Sequence, residues 1–426
     1  MPDRPGAAYR AYAALTALAA PAIHAHVARK QARADVPQDR LPERRGHATK
    51  PRPEGPLVWF HAASVGESLS LLDLLDRMLA RRPALHALVT SGTATSARLL
   101  ATRLPDRALH QFAPLDTPGP VGRFLDHWHP DLGIFVESEL WPRQLAEAKR
   151  RGIPLALVNA RLSQKSLRAW RRLGATARHV FGRFDLILTQ DDATRARIAE
   201  LADTEIRTGG NLKAAAPAPP ADPDQVETWK ERLAGRPAWV ASSTHEGEDA
   251  PLLEAHREVL ETFPGALCIL APRHPDRGPA IADLAAAMGL TTALRSANQP
   301  LAPKTQVYIA DTMGEMGLWY RAAPLVFLAG SLGRAGGHNP WEPIAAGAAL
   351  LFGPNVANAT GDYAALFEAG AARRVEDRHE LARALVGYLG HPEKQQALRD
   401  AAASVTAAVD VDAFATDLLA LMDRRP

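Results

Sequence analysis

Short apolar runs, each followed by a stretch with helical spacing, recur on both sides of one proline-rich break. That rhythm limits the chain to a pair of α/β domains. Before the break the runs fall at 57–61, 87–90, 132–136, 155–158 and 186–189. Each is bounded by Gly, Pro or polar residues, the pattern of strands buried on both faces of a parallel sheet. Between the first two, Leu69, Leu72, Leu75 and Leu79 recur at helical spacing. Residues 214–223 (AAAPAPPADP) then place four prolines in ten positions, which neither a helix nor a central strand can carry. The alternation restarts at 238–241, 266–270, 306–309, 325–328 and 349–352. The fold expected is two Rossmann-like doubly wound domains facing a central cleft, where ligands meet the carboxyl ends of the strands.

The expected organisation is an N-terminal membrane-associated helix (1–34), a tether (35–55), an N-terminal Rossmann-like domain (56–213) and a Pro-rich linker (214–225). A C-terminal Rossmann-like domain (226–400) and a last helix (401–426) packing back on the first domain complete it. A length of 426 residues is ample for two cores, and 46% hydrophobic with 23% charged residues fits folded domains rather than disorder. Net charge is only +3, but arginines crowd 143–183. Such a cluster suits a phosphorylated or acidic partner better than nucleic acid; a solvated helix face explains it equally. The single cysteine, Cys268, lies in an apolar run and reads as core, compatible with a reducing compartment.

The uncharged, alanine-rich segment 11–23 is shorter than a spanning helix and contains Pro21. Three readings stand side by side: an interfacial helix, a helix packed on a soluble domain, and a cleaved signal preceded by Arg4 and Arg10. No P-loop, C-x-x-C or H-E-x-x-H pattern occurs. The one D-x-D, Asp410-Val411-Asp412, reads as helix-flanking polarity, so neither metal nor cofactor is expected.

The unusual sequence lies in the loops after the strands. His61-Ala62-Ala63-Ser64-Val65-Gly66-Glu67 joins the first strand to a helix, and Glu67 in that first turn is a candidate general base whose ionised form the helix dipole favours. The alternative is an ordinary helix-start acid. Glu137-Ser138-Glu139-Leu140-Trp141-Pro142 offers two acids on one side of the chain, and Gly209-Gly210-Asn211-Leu212-Lys213 offers a cation before the break. In the second half, Pro272 and Arg273, then Met313, Gly314 and Glu315, then Asn339, Pro340, Trp341 and Glu342 occupy post-strand loops suited to phosphate and ribose.

Taken together, HAASVGE, ESELWP, NARLS, GGNLK, STHEGE, PRHP, DTMGE and GGHNPWEP resemble, in order and over about residues 55 to 370, the lipid A 3-deoxy-D-manno-octulosonic acid (Kdo) transferase family. The resemblance implies a GT-B fold, CMP-Kdo as donor, and a lipid A precursor such as lipid IVA as acceptor. It implies inverting transfer in lipopolysaccharide inner-core synthesis, at an anionic membrane surface on the cytoplasmic face of the inner membrane. By residue, it implies Glu67 as catalytic base and Glu139 and Lys213 as transition-state stabilisers. The CMP-binding positions would be Pro272, Arg273, Met313–Glu315 and Asn339–Glu342. The chain departs from the family in its short, Pro-containing N-terminal segment and in Trp341, where an aliphatic residue is commoner. Another GT-B nucleotide-sugar transferase or an epimerase is the alternative.

Overall fold

The computed structural model describes residues 5–34 and 36–424, so Arg4 lies outside the described residues. The chain divides into two compact units, residues 1–216 with 409–426, and residues 217–408. Each is built on a seven-stranded parallel sheet.

In the first unit the strands are β1 (Leu57–His61), β2 (His86–Ser91), β3 (Ala108–Phe112), β4 (Leu132–Val136), β5 (Leu155–Ala160), β6 (Leu186–Thr189) and β7 (Glu205–Thr208). They lie in the order β3-β2-β1-β4-β5-β6-β7. The chain winds one way from β1 to β3, then crosses to the far side of β1 to begin β4, so a topological switch point falls between β1 and β4. Apolar clusters cover both faces: Val58, Phe60, Ile134 and Val158 on one, Trp59, Phe135, Leu155 and Leu157 on the other. The helix Val411–Asp423 returns to this unit and buries Phe414 and Leu418 in the first of those clusters. Asp410 caps it by accepting from the Ala413 amide at 2.9 Å, and Asp412 pairs with Arg77 and with Arg81.

The second unit repeats the plan with β8 (Ala238–Thr244), β9 (Leu267–Pro272), β10 (Thr292–Leu294), β11 (Val307–Ile309), β12 (Leu325–Leu328), β13 (Ala349–Phe352) and β14 (Ala372–Arg374). Their order is β10-β11-β9-β8-β12-β13-β14, which puts its switch point between β8 and β12. Cys268 is fully buried in β9.

The structure differs from the sequence expectation in four places. Residues 35–55 are not a free tether: Gln38–Arg45 form a 3-10 helix docked on β3. Its Glu43 is fully buried and accepts from the Phe112 amide at 2.7 Å and from Arg40 at 2.9 Å. A buried carboxylate anchors what composition alone marks as linker. The N-terminal segment forms two helices, α1 (Ala7–Leu18) and α2 (Ala20–Arg33), bent by 66°. The break falls at Ala19, and Pro21 sits in the first turn of α2, where its missing N–H has no partner to lose. No single described helix is long and apolar enough to cross a membrane. Residue 400 falls inside the helix Pro392–Ala407, which belongs wholly to the second unit. In the Pro-rich stretch, the helix Pro223–Leu233 already begins at Pro223, and the Pro219 carbonyl accepts from Arg321 at 2.8 Å.

Candidate functional site

In the first unit, four of the sequence motifs converge at the switch point. Ser64 caps the helix Val65–Ser70 by accepting from the Glu67 amide at 3.3 Å. The Glu67 side chain folds back, its Oε2 accepting from the Ala63 amide at 2.8 Å and its Oε1 from the Ser64 hydroxyl at 2.9 Å. This resembles a capping box, with the acid reaching the amide one residue before the cap, so the helix-start role is real, yet the residue remains partly exposed. Burial first, and then the neighbouring Glu137, push the Glu67 carboxyl above its ordinary range; the Ser64 bond opposes them. The expectation that the helix dipole would favour the ionised form is corrected here, because desolvation and like charges outweigh it.

Glu139 lies beside it. Burial would raise its pKa, but the His61 ring and the Trp141 indole N–H outweigh burial and hold the carboxyl below the usual range. His61 Nε2 stands 3.3 Å from Glu139, and Trp141 Nε1 donates to it at 2.6 Å. Lys213, expected to act with Glu139, is instead 2.5 Å from Glu137. The backbone at Glu137 is left-handed, φ 55°, an uncommon conformation for such a side chain that turns the acid aside at the end of β4. Asn159, also left-handed at φ 54°, accepts from the Leu212 amide at 3.0 Å and so ties the GGNLK loop to the end of β5. The structure thus brings Glu67, Glu139 and Lys213 together and adds Glu137, His61 and Asn159. Glu137 and Asn159 stood in the motifs already; their unusual backbone was not readable from sequence.

In the second unit the loops after β8, β9, β11 and β12 share one sheet edge. Pro272 is the buried last residue of β9, and Arg273 is exposed just beyond it, its amide donating to the Thr244 carbonyl at 3.0 Å. Glu342 lies near enough to feel the Arg273 charge. Burial raises its pKa, while a bond from Asn339 and then Arg273 oppose the rise. Met313 is 74% exposed, free to meet a ligand. Glu315 is not free: Arg295 binds it in bidentate fashion at 2.6 and 3.1 Å, so its carboxylate fixes the loop. Trp341 is a core residue, 2% exposed, its indole donating to Asp362 at 3.0 Å. Pro340 is buried beside it. These two positions are buried framework rather than open surface.

Glu248 ends the motif STHEGE, which carried no assigned role from the sequence. Its buried carboxylate accepts from the amides of Gly330 at 2.7 Å, Leu332 and Gly333 at 3.0 Å each, and His245 at 3.1 Å. It clamps the loops after β8 and β12 across the switch point. His245 and His338 stack there with Nε2 atoms 2.9 Å apart. Burial holds both rings below their ordinary pKa, His338 at about 4, so both are neutral near pH 7. Among the described residues, no group of His, Cys, Asp or Glu has the spacing to hold a metal ion.

Residues 39–216 match a family model described as 3-deoxy-D-manno-octulosonic-acid transferase (kdotransferase). The chain is similar to a probable mitochondrial 3-deoxy-D-manno-octulosonic acid transferase of Arabidopsis thaliana, 35% identical over 416 residues, covering 94% of this chain and 93% of that protein. It is also similar to the 3-deoxy-D-manno-octulosonic acid transferase of Bordetella pertussis, 36% identical over 377 residues, covering 85% and 86%. Among solved structures, the UDP-GlcNAc 2-epimerase from Neisseria meningitidis bound to UDP-GlcNAc superposes with a TM-score of 0.57 at 12% identity, covering 84% of this chain and 99% of that one. That likeness concerns the fold alone, the paired Rossmann-like units of the GT-B class.

Proposed function

The chain belongs to the 3-deoxy-D-manno-octulosonic acid transferases, and from that premise we propose that it moves Kdo from CMP-Kdo to a lipid A precursor, lipid IVA, with inversion. The observation that carries the reading is the Glu67 carboxyl, partly exposed at the switch point with its pKa raised. A base of raised pKa takes a proton more readily than an ordinary carboxylate does.

In the proposed step an acceptor hydroxyl attacks the anomeric carbon of Kdo while its proton passes to Glu67. The bond from that carbon to the phosphate oxygen breaks, and CMP leaves with the electron pair. Lys213, held by Glu137, offsets negative charge as the bond breaks. Glu139, kept ionised and fixed by His61 and Trp141, balances positive charge growing on the sugar. In the second unit Arg273 and the amides near Met313 and Gly314 hold the phosphate, Glu342 with Asn339 takes the ribose, and Pro272, Pro340, Trp341 and Glu315 shape that wall. No metal or cofactor enters the scheme.

The acceptor places the reaction in lipopolysaccharide inner-core synthesis, on the cytoplasmic face of the inner membrane. Supporting this, Leu15 and Leu18 of α1 are 65% and 81% exposed, as expected of a helix lying in an interface. The arginines 161, 168, 171, 172 and 178 are proposed to face anionic lipid, although Arg171 already pairs with Glu200. Incubating the purified chain with CMP-Kdo and lipid IVA, and weighing the lipid by mass spectrometry, tests the proposal. A Kdo-sized increase with release of CMP is expected; an unmodified lipid, or transfer from a UDP-sugar instead, would refute it.

A further inference from the structure

Between α2 and the 3-10 helix Gln38–Arg45 lies a cavity of about 230 Å³, smaller than a typical drug-sized site and suited to one headgroup. A helical stripe of α2, His24, Val27 and Gln31, forms one wall, and Leu41, Arg44 and Arg45 form the other. Among the described residues that line it, none is acidic. Gln31 is only 9% exposed, and its Nε2 has no hydrogen-bond partner. An unmet buried donor is costly, and Gln31 lines the same cavity as Arg44 and Arg45. Neither Arg44 nor Arg45 has an ion-pair partner among the described residues, and burial lowers the Arg44 pKa to about 10. Arg123 lies beside them, its guanidinium donating to the Arg45 carbonyl at 2.7 Å. The walls therefore present donors and positive charge with no anion to receive them.

One lining residue ties the cavity to the carboxyl edge of the sheet, the edge that carries Glu67 and Glu139. Leu115 lines it, and the next residue, Asp116, accepts from the amides of Arg143 at 3.1 Å and Gln144 at 2.8 Å. Those amides follow directly on Trp141, which holds Glu139. Leu15 and Leu18, both exposed, end α1 just before α2 begins.

We propose that this cavity binds the phosphate of an amphiphile arriving from a membrane, with the Gln31 amide, Arg44 and Arg45 as its donors. Two sources share that chemistry: the phosphorylated glycolipid acceptor, which rests on the transfer reading above, and a bilayer phospholipid. The test compares the full chain with its Gln31→Met/Arg45→Gln variant in equilibrium binding to lipid IVA, to dephosphorylated lipid IVA, and to phosphatidylglycerol vesicles. A loss of about tenfold for lipid IVA, with none for its dephosphorylated form, identifies the acceptor. The same loss for phosphatidylglycerol alone identifies a bilayer lipid. Unchanged binding of all three probes, or equal loss with and without phosphate, overturns the proposal. Arg45→Gln alone, a change at an exposed side chain, gives the same reading should the double variant misfold. Binding needs no turnover, so a chain that transfers no Kdo would sink the reaction without deciding the cavity.

Discussion

Lys213 and Glu137 stand 2.5 Å apart with side chains 18% and 15% exposed, and this pair separates stability from chemistry. Lys213→Met strands an acid in a half-dry site and should lower unfolding stability by roughly 1–3 kcal/mol. Adding Glu137→Gln should recover most of that loss in a double-mutant cycle while turnover stays low; recovery of both together would remove Lys213 from catalysis. The raised pKa of Glu67 makes a second statement. Because its folded-state value lies above the unfolded one, protonation favours the folded chain. That stabilisation is full below the unfolded carboxylate value and is lost as pH rises through the raised value. Near pH 7 the ionised group is thus a cost, and Glu67→Gln, which keeps a capping oxygen, should melt no lower than wild type. For the same reason the acid limb of wild-type turnover should lie above the ordinary carboxylate range, and a limb at or below it would argue for another base. The motifs made Glu67, Glu139 and Lys213 legible in the sequence. Glu248 stood in the motif STHEGE, but its role was not legible, because three of the four amides it clamps lie on the loop after β12, far along the chain.

At the scale of elements, what the sequence concealed has one physical cause. All ten apolar runs are strands, and the four strands without such runs are β3, β7, β10 and β14, the edges of the two sheets. A central parallel strand is buried on both faces and must be apolar. An edge strand need not be, and β3 carries His110 and Gln111 while β7 is Glu-Ile-Arg-Thr. The docked segment Gln38–Arg45 escaped for a related reason, since a buried carboxylate and one apolar side chain, Leu41, hold it rather than an apolar stripe. The loop carrying Lys213 rests on the last helix: a Cβ at Gly209 would lie 2.3 Å from the Phe414 ring. Gly209→Ala should therefore displace Lys213 and lower turnover. Phe414→Ala should open a cavity there and cost about 3–5 kcal/mol. Thermal unfolding monitored beside activity checks both; a fully active Gly209→Ala would show that Lys213 is not positioned from beneath.

For the whole molecule, the division of the chain has a consequence. Residues 217–408 are continuous and hold Arg273, Asn339 and Glu342 on their own core. Produced alone, this fragment should fold cooperatively and bind CMP by calorimetry. Residues 1–216 alone lack the returning helix that buries Phe414 and Leu418 and should expose that apolar face and aggregate; restoring 409–426 should make them soluble. A fragment 217–408 that folds yet ignores CMP would move the donor site elsewhere. The most direct measurement of all is single-turnover transfer by Glu67→Gln with CMP-Kdo and lipid IVA, followed by mass. Loss of a general base should slow it by about 10²–10⁴-fold with CMP affinity intact, whereas transfer at the wild-type rate would contradict the assignment of Glu67 as the base.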